Sequence, residues 1–178
     1  MKTKPSTEYA LLGALISGPR HGYEIMRFLN TALGSTWHVG GSQLYTLLKR
    51  LEEANLLSSN VETQETRPSK RVFSLMPAGK VAFLEWLHST TEHVRDLRIE
   101  FLGKLFFFDR LSLKEGDKLI EAQMHLLQQI RERIREKEKT EKDPFNRLVL
   151  GFKTATVEAW LQWLIKKAAP FIQRSLKS

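Results

Sequence analysis

Gly41-Ser42-Gln43-Leu44-Tyr45-Thr46-Leu47-Leu48-Lys49-Arg50-Leu51-Glu52-Glu53 is the stretch on which the reading of this 178-residue chain turns. Leu44, Leu47, Leu48 and Leu51 recur at spacings of three and four, and Leu56 extends the stripe, so the segment is a helix with one apolar face. Gln43, Thr46, Lys49, Arg50 and Glu53 fall on the opposite face. Gly40-Gly41-Ser42 marks its start, with Ser42 the expected N-cap. Two helices precede it. One runs over 6–17 with Tyr9, Leu11, Leu12, Leu15 and Ile16, and one over 21–33 with Tyr23, Ile25, Met26, Phe28, Leu29 and Leu33. Only Gly18-Pro19-Arg20 joins the two, and Gly34 is placed to end the second.

Downstream the period changes. Residues 57–64 have strand character around Val61, and Val72-Phe73-Ser74-Leu75 is a second short strand. The segment between them, Glu65-Thr66-Arg67-Pro68-Ser69-Lys70-Arg71, is polar and basic, as expected of a hairpin with a cationic tip. Pro77 then opens a helix over 78–88. Three helices, a hairpin and a helix in this order make a winged helix-turn-helix with a two-stranded wing.

The rest of the chain reads as helix throughout. One apolar-rich helix is expected over 95–108, and Ser112 with Glu115 matches a capping box for the next. In that long helix Ile120, Leu127 and Ile134 lie seven apart. Asp143-Pro144 ends it and starts another, on which Leu148, Phe152, Ala155, Ala159 and Trp163 share a face. Gly151, Ala155 and Ala159 are small at every fourth position, which permits close approach of a partner helix. The fold class is therefore mainly α: residues 1–90 form the winged domain, and 91–178 form an antiparallel helical dimerisation arm.

Composition narrows the function. The net charge is +8, which favours polyanionic partners. The surplus is not concentrated in the winged domain: up to Thr90 there are 10 Lys/Arg against 7 Asp/Glu, and beyond it 18 against 13. Pattern must carry the claim that bulk charge does not. Cysteine is absent, which excludes disulfides, thiolate metal sites and cysteine nucleophiles. His21, His38, His88, His93 and His125 form no ligand motif, so no metal is expected. No phosphate-binding glycine loop or nucleophile elbow occurs, so no cofactor and no enzymatic activity are expected. The absence of a long apolar run and of a signal-peptide core points to a cytoplasmic protein with no membrane association.

A helix that reads DNA exposes donors and acceptors near its N-terminus while its other face packs on the domain. Ser42, Gln43, Tyr45 and Thr46 are placed to meet base edges, and Lys49 and Arg50, one turn on, to meet phosphate. Arg67, Ser69, Lys70 and Arg71 on the wing are placed for phosphate or the minor groove. Leu105, Phe106, Phe152, Ala155, Ala159, Trp160 and Trp163 are the expected dimer interface. Phe28, Trp37, Trp86 and Phe107 are a candidate pocket for a small-molecule effector, against the plainer reading that aromatics at helical spacing pack in a core. The mixed charges over 131–142 read as a solvated helix face.

The motifs Tyr9-Ala10-Leu11-Leu12-Gly13, His21-Gly22-Tyr23-Glu24-Ile25, Gly41-Ser42-Gln43-Leu44-Tyr45 and Leu48-Lys49-Arg50-Leu51-Glu52, followed by Arg67-Pro68-Ser69-Lys70-Arg71-Val72-Phe73-Ser74-Leu75 and Pro77-Ala78-Gly79, resemble the PadR family. Glu100-Phe101-Leu102-Gly103-Lys104-Leu105-Phe106 resembles the virulence-activator-type C-terminal region of its longer subgroup. The resemblance implies a homodimeric regulator, usually a repressor, that binds double-stranded DNA and can answer to an effector. Three positions depart from the family pattern. Thr46 stands where proline usually follows the tyrosine, Ala54-Asn55 where an acidic residue and glycine are usual, and Met76 where a threonine usually caps the next helix. The competing class is a winged-helix adaptor that binds protein without specific DNA recognition.

Overall fold

The computed structural model describes residues 6–34, 39–62 and 70–175 and divides into two compact units, 1–87 and 88–178. The first contains helices α1 (Ser6–Ala14), α2 (Gly22–Ala32), α3 (Gly41–Glu53) and α4 (Pro77–His88), with strands β1 (Arg20–His21), β2 (Leu57–Glu62) and β3 (Lys70–Leu75). The apolar stripes of these helices converge. Leu11, Leu12, Ile25, Leu44, Leu48, Phe83 and Leu87 are all fully buried.

The wing is a three-stranded antiparallel sheet in the order β1-β3-β2, not the expected two-stranded hairpin. The added strand is the Arg20–His21 connection, which pairs with Phe73 and Val72 and so ties the joint between α1 and α2 to the wing. Two residues carry no alternation, and for that reason β1 left no periodic signal. In the main pair Leu57 faces Leu75 and Ser59 faces Phe73, placing Phe73 on the inward side.

Helix starts and stops depart from expectation in instructive places. Gly40, not Ser42, is the N-cap of α3, and Ser42 sits inside the first turn. After α3, Asn55 adopts a left-handed backbone at φ 54°, which asparagine tolerates better than most residues. The helix expected over 95–108 is in fact a 3-10 turn (Val94–Asp96), a π turn (Leu97–Phe101) and α5 (Leu102–Arg110). Ser112 is not a cap: it lies in a turn at φ 51°. The long helix α6 (Gly116–Thr140) starts from Glu115, whose carboxylate makes no capping bond.

Asp143 does cap α7 (Pro144–Trp163), accepting from the Asn146 N–H at 2.8 Å. A second π turn (Leu164–Ala168) follows and leads into α8 (Ala169–Ser175), where Pro170 has no N–H to give a regular turn. The C-terminal unit buries Leu97, Phe101, Phe107, Phe108, Leu127, Val157 and Leu164. Helices α6 and α7 pack along each other, and Arg135 donates to Glu158 across them at 2.6 Å.

Candidate nucleic-acid interface

Helix α3 separates its two faces as its sequence dictates. Leu44, Leu47, Leu48 and Leu51 are buried, while Ser42, Gln43, Tyr45, Thr46, Lys49 and Arg50 are exposed. The structure thus gathers six of the expected reading and gripping residues on one solvent-facing surface. The Thr46 hydroxyl donates to the Ser42 carbonyl at 3.0 Å, so it is engaged within its own helix. Tyr45 lies across the start of α2. A Cβ at Gly22 would come within 2.8 Å of its hydroxyl, so glycine there lets the ring lie close. The His21 N–H donates to the Glu24 carboxylate at 2.9 Å, which fixes that helix start and holds the Glu24 pKa below its usual value. Beside it, the Arg20 guanidinium lies 5.1 Å from the Phe28 ring centre.

The cations of this face are not all alike. Among the described residues, Lys49 pairs with its helix neighbour Glu53 at 3.8 Å, with both side chains well exposed. Arg50 reaches back to Glu8 at 3.3 Å. Glu8 is 2% exposed, a carboxylate buried on the packed side of α1 beneath α3. Arg71 on β3 lies 2.9 Å from Glu52 at the end of α3. The sequence reading missed Glu8, Glu52 and Ser59 as parts of the surface. Glu8 did carry a signal, because it falls on the same stripe as Leu11, Leu12 and Leu15, where a charge needs a partner. Arg67, Ser69 and Trp37 lie outside the described residues, as does the side chain of Lys70.

The remaining candidate residues fall in two places. Trp86 is buried in the N-terminal unit, stacked on Tyr9 at 5.3 Å, and Phe28 is half-buried in the same unit. Phe107 is fully buried in the C-terminal unit, with Phe106 edge-on to it at 5.2 Å. Leu105 is also part of that unit's core. On α7, Phe152, Ala155 and Ala159 are exposed, and Trp160 and Trp163 are half-buried with their rings 5.5 Å apart. Leu102, Thr156, Ala159, Trp160 and Trp163 line an open apolar groove of about 480 Å³. Among the described residues no cluster of three or more His, Asp or Glu could hold a metal ion, and no helix is long and apolar enough to cross a membrane.

The fold defines a winged helix-turn-helix, and both parts of the chain are similar to known regulators. Residues 11–85 match the model of the "Transcriptional regulator PadR-like family", and residues 97–169 match "Virulence activator alpha C-term". The chain thus carries a PadR-like family domain followed by a virulence-activator-type C-terminal domain, and its homologues are transcriptional regulators of a non-enzymatic family. It is 30% identical over 117 residues to the "Negative transcriptional regulator PadR" of Bacillus subtilis, a match covering 66% of this chain and 64% of that protein. It is 27% identical over 79 residues to the "Probable transcriptional regulator Rv1176c" of Mycobacterium tuberculosis, covering 44% of this chain and 42% of the other. Both matches thus span less than two thirds of the relative. The crystal structure of B. subtilis PadR in complex with operator DNA shares the fold, with a TM-score of 0.50 at 24% identity over 94% of this chain and 99% of that one.

Proposed function

We propose that this chain is a sequence-specific, double-stranded-DNA-binding repressor that acts in the cytoplasm as a homodimer on an inverted-repeat operator. One observation carries the reading: α3 turns Gln43, Tyr45, Thr46, Lys49 and Arg50 to solvent while its leucines are buried, which is the division a major-groove helix needs. Gln43 and Tyr45, in the first two turns, address base edges, and Lys49 addresses phosphate. Repression is supported by the B. subtilis relative, which is named a negative transcriptional regulator.

Homodimerisation is supported by α7. Phe145, Leu148 and Phe152 are 69%, 69% and 72% exposed in the single chain, a run of large apolar side chains at helical spacing that water does not favour. A second copy of the same face covers it with closed two-fold symmetry, and a two-fold protein reads a two-fold site. An effector response belongs to the same reading. The groove of Leu102, Thr156, Ala159, Trp160 and Trp163 shares α7 with that face, so a ligand seated there would alter how the copies meet.

The test is fluorescence anisotropy of the full chain against the duplex upstream of its own gene and a shuffled duplex, at two salt concentrations. Preference for the upstream duplex that survives the higher salt supports specific recognition. Equal and salt-sensitive binding to both duplexes overturns it in favour of mere polyanion affinity.

A further inference from the structure

Arg71 joins three elements of the N-terminal unit. Its Nε donates to the Ser59 hydroxyl on β2 at 2.7 Å, and its Nη2 donates to Glu52 Oε2 on α3 at 2.9 Å. The Ser59 hydroxyl in turn donates to Glu52 Oε1 at 2.6 Å, so both carboxylate oxygens are used and the contacts close into a ring. Ser59 lies opposite Phe73 in the ladder, two positions from Arg71, so all three side chains share one face of the sheet. The Arg71 guanidinium carbon stands 5.7 Å from the centre of the Phe73 ring, which backs the ring of contacts.

An isolated, half-exposed ion pair would fix little. Here the planar guanidinium, a hydroxyl and both carboxylate oxygens are used together, and the directions of these bonds constrain where the wing lies relative to the end of α3. Charge leads the same way. A guanidinium already neutralised by a carboxylate releases no counterion when DNA arrives, whereas Lys49, loosely held by Glu53, is available to do so.

We propose that Glu52 is a positioning residue for DNA reading: through Arg71 and Ser59 it sets the wing against the reading helix, and Arg71 serves in that tie instead of gripping phosphate. The inference rests on the DNA-binding reading above, and it reassigns Arg71 from the phosphate-contacting role that its place in the sequence had given it.

The experiment is anisotropy with the full chain over a salt series, on the upstream duplex and its shuffled counterpart, for wild type, Arg71→Gln, Arg71→Lys, Glu52→Gln and Lys49→Gln. Thermal melts accompany each variant to show that it folds. Arg71→Gln and Arg71→Lys should each lower the preference for the upstream duplex by about fivefold, with the slope of log K against log salt unchanged, because neither glutamine nor lysine rebuilds the two-donor fork. Glu52→Gln should lose the same preference and steepen the slope by about one, because it frees Arg71 for phosphate. Lys49→Gln should flatten the slope by about 0.9. A flatter slope in Arg71→Gln together with wild-type binding by Arg71→Lys overturns the proposal, since a point charge on phosphate would then suffice. Wild-type preference and slope in both Arg71→Gln and Glu52→Gln overturn it too. Equal binding of both duplexes by the wild-type chain overturns the DNA reading itself and the inference with it, a failure seen before any variant is made.

Discussion

Each unit of this chain buries a charge and leaves one helix face open, and the two do both in opposite ways. In the N-terminal unit the buried charge is Glu8, whose partner Arg50 is 57% exposed on α3, and the open face is polar. In the C-terminal unit the buried charge is Lys104, which is wholly enclosed and donates to Glu100 at 2.8 Å, the Ser89 carbonyl at 2.9 Å and the Ser89 hydroxyl at 3.2 Å. There the open face, on α7, is apolar. Gln123 completes the enclosed network, accepting from the Thr91 N–H and donating to its carbonyl. The difference separates two tasks. A surface of hydrated cations and amides suits a charged polymer, and an apolar helix face over a sealed interior suits a permanent partner.

The largest effect should come from the open apolar face. Leu148→Glu with Phe152→Glu places two charges per copy where a dimer would bury them, and should weaken self-association by about a thousandfold in sedimentation velocity. Unchanged association would remove α7 from the interface. Next, the two buried charges should respond unequally. Glu100→Gln strands the enclosed Lys104 ammonium and should destabilise the protein by about 3 kcal/mol in denaturant titration. Glu8→Gln leaves Arg50 free to hydrate and should destabilise it by about 1 kcal/mol. Equal losses would erase the contrast.

A third effect is in pH. Burial pushes the Lys104 pKa below its ordinary 10.5, against the pull of Glu100. Just below 10.5 the unfolded chain therefore binds more protons than the folded one, and this group's contribution to stability rises with pH. Chemical denaturation at a series of alkaline pH values should show that rise in wild type and its absence in Lys104→Met. The smallest effect is at the start of α4, where Met76 gives no side-chain acceptor. Met76→Thr should add about 1 kcal/mol and raise Tm by roughly 2–4 °C in calorimetry, and a fall would show that the methionine side chain is packed usefully where it is.

What could be read from the sequence was whatever repeats. The leucine stripe of α3, the wing strands around Val61 and Phe73, and the exposed run on α7 each carry a period, and a period survives without coordinates. What could not be read depends on single contacts. Apolar spacing continues unbroken across 94–108, so the 3-10 and π turns there left no mark. Ser42 and Ser112 are good capping residues, but Gly40 and Glu115 hold those positions because the neighbouring backbone decides where each helix can begin. The pairings of Arg50 with Glu8 and of Arg71 with Glu52 join residues distant in sequence, and no local pattern announces them. They matter most at the candidate site, where they divide cations that look equivalent in the sequence into tethered and available ones.

In the proposed function, α3 reads DNA while α7 joins two readers. Hydroxyl-radical footprinting of the duplex upstream of the gene, with wild type and with the Leu148→Glu, Phe152→Glu variant, tests both halves together. Two protected patches of related inverted sequence are expected, centred about 34–36 Å apart in wild type and lost together in the variant at the same concentration. Protection spread evenly along the duplex, or paired patches that persist in a monomeric variant, would contradict that reading.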